Sequence, residues 1–309
     1  MRRAVPITAV AAIIVTSLSA HTSPSRGGPI PRPLQGVVIS ASVSKAGDGL
    51  FTYRYRVANP ASNDGQIRSL DIEIIRARTE AVLGRDGLIN GPRYSSFGSE
   101  DAFRRVPMVP VGITGPDNWV YGLGFDDRNP PRAFTGWGSL DEPFRILPGH
   151  SLEGFQLTSP GLPGVRTTTV QSGIDYDNLP EEYSDEAKAR ELRDGLIFVT
   201  VSVGPKAPPQ DFVPIEFLNY LISLLHQSRQ IGWVTRDGAQ QSLLAKLVEA
   251  KRKLEEGNGK VAKNLLNAFL NEVRAGSCQQ FTCPANKPLT SEAYALLFFN
   301  GQYLVERLP

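Results

Sequence analysis

The segment FTYRYRV, residues 51–57, decides the fold of the first two thirds of this 309-residue chain. Its apolar residues occupy every second position, so that one face of an extended strand would be apolar and the other polar. LDIEI at residues 70–74 and IFVTVSV at residues 197–203 repeat this period of two. Turns rich in proline, glycine and asparagine separate such runs. The pattern predicts an all-β antiparallel sandwich, immunoglobulin-like or related, over residues 37–203.

A helical period replaces this pattern towards the C-terminus. In VAKNLLNAFLNEV, residues 261–273, the apolar residues return once per helical turn and form a wide stripe. Similar stripes occupy residues 218–225 and 243–254, and Thr290 is placed to cap a fourth helix. The glycines at 257 and 259 separate the second and third helices by a short connection, as expected for antiparallel neighbours. We therefore predict a small all-α four-helix bundle over residues 215–309.

Two proline-rich segments delimit these regions and make a multidomain chain the expectation for this length. Residues 21–36 are rich in proline, serine and glycine and are typical of a flexible lead-in. GPKAPP, at residues 204–209, indicates a semi-rigid linker, which we place at residues 204–214.

Residues 1–20 have the features of a signal peptide. Arg2 and Arg3 precede an apolar stretch at residues 4–18, and Ser19-Ala20 offers a small-residue cleavage point. The stretch is shorter than the roughly twenty residues of a membrane span. We expect a secreted or periplasmic protein without stable membrane insertion after cleavage. Loss of the two arginines lowers the formal charge from +2 to zero, which disfavours nucleic-acid binding.

Four segments of the helical region resemble the FIMAH domain of bacterial secreted proteins. They are SLLAKL at 242–247, LEEGN at 254–258, AKNLLNAFLNEV at 262–273 and LTSEA at 289–293. The resemblance covers about residues 215–308 and implies a small helical accessory domain without catalytic residues. ILPGHSLEGF, at residues 146–155, is more distantly similar to β-sandwich domains of exported bacterial proteins.

Cys278 and Cys283 depart from the FIMAH pattern, which usually has a plain polar loop at this place. An even number of cysteines in an oxidising compartment favours a structural disulfide. A redox pair usually has Cys-x-x-Cys spacing at a helix start, and a zinc site needs further ligands.

Aromatic residues concentrate between residues 119 and 137, together with several glycines. Trp119 and Tyr121 would share one strand face, so core packing explains part of the cluster. Exposed rings are also a common way to bind sugars. Phe134 and Trp137, which we expect in a loop rich in proline and glycine, are the preferred candidates for a binding patch, with Trp119 and Tyr121 beside them.

Two acidic segments are candidate calcium sites, because calcium takes six to eight oxygen ligands. One contains Asp126 and Asp127, and the other contains Asp175 and Asp177. Neither has the spacing of an EF-hand. Carboxylate pairs could also perform acid–base hydrolysis of a glycoside if they faced one cleft.

The sequence contains no Gly-x-Ser-x-Gly motif and only three histidines. Calcium is the one cofactor that the residues suggest. The leading hypothesis is an exported, non-enzymatic binding module for a cell-surface glycan or another envelope protein. The alternatives are a secreted hydrolase that uses the carboxylates of the β region, and a purely structural surface component.

Overall fold

The structure, a computed structural model, describes residues 30–76, 112–126, 132–139, 141–173, 179, 183, 185–209 and 211–309. The predicted signal peptide and residues 21–29 of the predicted lead-in lie outside these ranges. Among the described residues, no helix has the length and apolar character needed to cross a membrane.

Nine strands form two antiparallel sheets in the described part of the chain. In chain order they are β1 (Val38–Lys45), β2 (Phe51–Ala58), β3 (Ile67–Arg76), β4 (Gly112–Thr114), β5 (Trp119–Asp126), β6 (Arg132–Ser139), β7 (Ser151–Ser159), β8 (Leu162–Ser172) and β9 (Ile197–Lys206). One sheet has the order β1-β2-β7-β4, and the other has the order β5-β6-β3-β8-β9. The prediction of antiparallel strands is confirmed.

The alternation of residues 51–57 places its aromatic residues in the core. Tyr53 and Tyr55 are fully buried, although each carries a hydroxyl group. The Tyr53 hydroxyl donates to Gly161 O at 2.7 Å, and the Tyr55 hydroxyl donates to Val203 O at 3.0 Å. Val203 belongs to β9 of the other sheet, and Gly161 lies in the turn that leads from β7 to β8, so both tyrosines hold the two sheets together while their rings are buried.

The helices are α1 (Glu186–Gly195), α2 (Pro214–Gln230), α3 (Asp237–Glu255), α4 (Gly259–Gly276), α5 (Ser291–Tyr294) and α6 (Asn300–Arg307). A π-helical segment, Ala295–Phe299, joins α5 to α6 without a break. Asn258 caps α4 through Val261 N, and Thr290 caps α5 through Ala293 N, as the sequence predicts for Thr290. α2, α3 and α4 pack in succession, and α6 contacts α2 and α4.

The helical part packs directly on the sheets, and one apolar core runs through both. Phe299 contacts Phe51 edge to face, with ring centroids 5.3 Å apart. Glu292, only 5% exposed, accepts a hydrogen bond from Ala41 N at 2.7 Å. Because β1 is an edge strand, Ala41 N–H has no strand partner on this side. The C-terminal helices therefore cover one edge of the sheet pair.

The predicted boundary between residues 203 and 204 falls inside a strand. β9 continues to Lys206, where Gly204, Pro205 and Lys206 pair with the first residues of β8. Proline is tolerated there because β9 lies at the edge of its sheet. Ala207 is also buried, so the start of the predicted linker belongs to the folded core.

Candidate functional site

The two tryptophans of the predicted binding patch lie in the core. Trp137 is 1% exposed and Trp119 is 5% exposed. The Trp137 indole N–H donates to Thr114 O at 2.7 Å, and both rings contact Phe155 edge to face. Strand β6 includes Trp137, although its glycines suggested a loop. The interpretation of these tryptophans as ligand contacts is therefore wrong, since neither ring can stack on a sugar.

Phe134 and Tyr121 lie nearer the surface. The Phe134 ring covers Gly124 of the edge strand β5, where a side chain would collide with it. Glycine in a strand often permits such a close approach. Tyr121 is 37% exposed. The four residues thus do not form one displayed surface.

The candidate calcium ligands are not brought together in the described part of the chain. Asp126 ends β5 opposite Arg132, whereas Asp127, Asp175 and Asp177 lie outside the described residues. Within the described ranges, no group of three or more histidine, cysteine, aspartate or glutamate side chains is arranged to hold a metal ion.

Cys278 and Cys283 form a disulfide, as the sequence predicts. The bridge closes a short loop between α4 and α5. The prediction of a disulfide is therefore confirmed, and the bond lies in the connection between Gly276 of α4 and Ser291 of α5.

A titratable group that the sequence reasoning missed lies on the outer face of the five-stranded sheet. Asp71 of β3 is paired with Gly136 of β6 and Thr169 of β8. The surroundings are crowded, because a methyl group added to Gly136 would come within 2.5 Å of Asp71 Oδ1. Burial raises the pKa of Asp71 to about 7, against a smaller lowering by the Thr169 hydroxyl. Asp71 itself is half-buried, and Glu73, on the same face, is buried.

A concave site lies where the sheets meet the helical part. This junction cleft has a volume of about 300 Å³ and lies between the start of β8, the end of β9 and the first turns of α2. Its lining residues are Leu162, Lys206, Ala207, Pro209, Asp211, Val213, Glu216, Phe217, Tyr220 and Asn300. The size is at the lower end of the range of small-molecule sites.

The junction cleft combines aromatic rings with hydrogen-bonding groups. The ring of Tyr220 contacts that of Phe217, with centroids 5.7 Å apart, and the Lys206 ammonium lies 4.2 Å from the centre of the Tyr220 ring. Asp211 and Glu216 are exposed acids in the same lining. An apolar wall with a few polar groups is the usual composition of a binding site.

The inner part of the cleft contains Asn300, the first residue of α6. Its side chain is fully buried, and its amide nitrogen donates to Pro163 O and to Leu296 O, each at 2.8 Å. The second bond satisfies a carbonyl within the π-helical segment, whose altered spacing disturbs the regular ladder. Among the described residues, Asn300 Oδ1 has no hydrogen-bond partner.

These residues are too far apart in the sequence to be grouped by a motif. Leu162, Tyr220 and Asn300 come from the sheets, the first long helix and the last helix. No known family model matches the chain, and no curated protein matches it.

Proposed function

We propose that this chain is an exported, non-enzymatic binding module that holds a short cell-surface carbohydrate in the junction cleft. The observation that carries the proposal is the combination, in one cleft, of the Tyr220 and Phe217 rings with the Asp211 and Glu216 carboxylates. We therefore propose the junction cleft as the binding site, instead of the tryptophan patch that the sequence predicted.

The chemistry of the cleft suits a neutral, hydroxyl-rich ligand. Sugars present apolar C–H faces that pack on aromatic rings, while their hydroxyl groups donate to carboxylates. The Asp211 and Glu216 carboxylates in the lining are acceptors, and the Lys206 ammonium is a donor. Its volume of about 300 Å³ is at the lower end of the range of small-molecule sites, which suits a short carbohydrate.

The helical part has a supporting role in this proposal. We propose that α2, α3, α4 and the continuous unit from α5 to α6 form a FIMAH-like four-helix bundle. It would contribute one wall of the cleft through α2 and the inner end through Asn300. A solved FIMAH domain should then superpose on residues 214–307 with the same helix order, and a different order would remove the assignment.

A glycan array probed with the purified chain tests the function. We expect binding to a restricted set of bacterial cell-surface glycans. Tyr220→Leu should weaken it about two- to thirteenfold, since an aromatic contact contributes about 0.5–1.5 kcal/mol beyond its area. Glu216→Gln should weaken it by a similar or larger factor, because hydrogen bonds to charged groups contribute about 1.5–3 kcal/mol.

Glu191→Gln is the matched control, because Glu191 is an exposed acid on α1 and does not line the cleft. Thermal unfolding of each variant separates lost binding from lost folding. Equal binding by all variants would remove the junction cleft as the site. Capture of an envelope protein without any glycan binding would replace the proposed ligand class.

A further inference from the structure

Lys206, the last residue of β9, extends its side chain over the neighbouring strand β8. The residue pairs with Leu162, and its stem lies on Gly164, two residues further along β8. A methyl group added to Gly164 would come within 2.8 Å of Lys206 Cβ and 3.2 Å of Cδ, so a side chain there would obstruct the stem. The absence of a side chain on Gly164 therefore allows the direction that the lysine takes.

The ammonium group at the end of this stem lies over the ring of Tyr220. The nitrogen is 4.2 Å from the ring centre, which is a close cation–π contact. Both residues line the junction cleft and both are half-buried, so each of them reaches the solvent in part. Tyr220 is also the ring on which the proposed carbohydrate packs its apolar face. A sugar that packs on the face covered by Lys206 has to displace the ammonium.

Displacement of the ammonium has a small energetic effect by itself. A cation–π contact at a partly exposed site is weak, and its loss corresponds to about a two- to fivefold change in affinity. The lysine stem has four rotatable bonds, so the ammonium can move while the backbone of β9 stays in place. The partner that the ammonium finds after the move has the larger effect, because a hydrogen bond from a charged donor is stronger than this ring contact.

We infer that Lys206 is a specificity-determining residue of the junction cleft: a bound sugar replaces its ammonium on the ring of Tyr220, and the ammonium then donates a hydrogen bond to an oxygen at the edge of the sugar. The inference rests on the proposed carbohydrate-binding function. It adds that the ligand carries an acceptor oxygen beside the face that packs on Tyr220. A sugar without this oxygen displaces the ammonium and offers it no partner in return.

The experiment measures the affinity of methyl β-D-glucopyranoside, methyl β-D-galactopyranoside and N,N'-diacetylchitobiose by calorimetry. Each singly deoxygenated analogue is compared with its parent on the unmodified chain, on Lys206→Ala and on Glu216→Gln. For a probe that binds, we expect one oxygen whose removal weakens binding to the unmodified chain about tenfold or more. That penalty should fall below about twofold on Lys206→Ala and persist on Glu216→Gln. The deoxy analogue itself should bind Lys206→Ala about two- to fivefold more tightly than it binds the unmodified chain, because no ammonium has to be displaced.

NMR spectroscopy of protein made with ε-¹³C-lysine follows the position of the ammonium separately. The ring of Tyr220 should shift the Lys206 signal upfield, and the absence of this signal from Lys206→Ala identifies it. A bound probe should move the signal back towards those of the exposed lysines, and Tyr220→Leu should do so without a probe. Lys188→Ala is the matched control, because Lys188 is an exposed lysine of α1 that does not line the cleft. It should change neither the shift nor the affinities.

The outcomes separate this inference from the proposed function. A probe that needs Tyr220 but shows the same deoxy penalties on Lys206→Ala overturns the role of Lys206 and leaves the function standing. A Lys206 signal that stays upfield in the bound form, or that is not shifted in the free chain, also overturns it. If none of the three probes binds, both fail. Should Lys206→Ala not fold, Lys206→Met, which keeps the length of the stem without its charge, replaces it in the same titrations.

Discussion

Replacing Asp71 by asparagine should make the protein more stable at neutral and alkaline pH and change little at acidic pH. Burial raises the pKa of this carboxyl from 3.8 to about 7. Between these values the folded protein holds a proton that the unfolded chain has released. Stability therefore falls as the pH rises from about 4 to about 7 and levels off above that range.

The size of the effect follows from the shift. About three pKa units at 1.36 kcal/mol per unit correspond to an upper limit of about 4 kcal/mol. Asp71 keeps part of its surface exposed, so we expect about half of this value, roughly 2 kcal/mol. Asparagine has nearly the same shape and carries no charge at any pH.

Urea unfolding of both proteins between pH 4 and pH 8.5 measures this difference. The gap in the free energy of unfolding should grow with pH in favour of Asp71→Asn. Asp117→Asn is the control, since Asp117 is an exposed residue between β4 and β5. A gap that does not depend on pH, or a variant that is less stable at pH 8, would refute the reasoning.

Three further predictions concern the core and the connections between the sheets and the helices. Glu292→Ala leaves Ala41 N–H buried without its acceptor and should cost about 2–3 kcal/mol in urea unfolding; a loss below 0.5 kcal/mol, by the same scale, would contradict the contact. Trp137→Ala should destabilise the fold by about 3–5 kcal/mol, and unchanged stability would contradict its place in the core. Replacing Cys278 and Cys283 together by serine should cost about 2 kcal/mol, and an unchanged melting temperature would argue against a stabilising bridge.

The local elements follow from the sequence because their periodicity is local. The alternation at residues 51–57 lies within β2, and the helical stripe at residues 261–273 lies within α4. Thr290 caps α5 as its position predicts. In each of these segments one face is buried and the other is not, so the spacing of its apolar residues is enough to predict the element.

The relation between the two regions could not be predicted in the same way. Glu292 and Asn300 are polar residues in helices, and such residues usually face water. Here they contact β1 and β8, which lie far away in the sequence. The periodicity of the sequence does not show which helical residue contacts which strand. The prolines at residues 205–209 predicted a linker between the two regions instead.

The binding site could not be predicted from the sequence, for two different physical reasons. Trp137 lies in a glycine-rich stretch that suggested a loop, but the neighbouring glycines let β6 pair closely with β5. The junction cleft is lined by residues of β8, α2 and α6, so the sequence of no single segment predicts it. In the sequence, Asp71 has the pattern of an ordinary outward-facing residue of an alternating strand, because its pairing with Gly136 and Thr169 depends on the strand order.

The contact between Ala41 and Glu292 spans 251 residues and governs when the fold can be completed. A separation of 251 residues lies between Ala41 of β1 and Glu292 of α5, so the edge of β1 stays uncovered while the ribosome adds them. Contacts of such long sequence separation form slowly, and an uncovered strand edge can pair with another chain meanwhile. The edge of β1 is therefore exposed to pairing with other chains until α5 has emerged, and deleting α5 and α6 would make that exposure permanent.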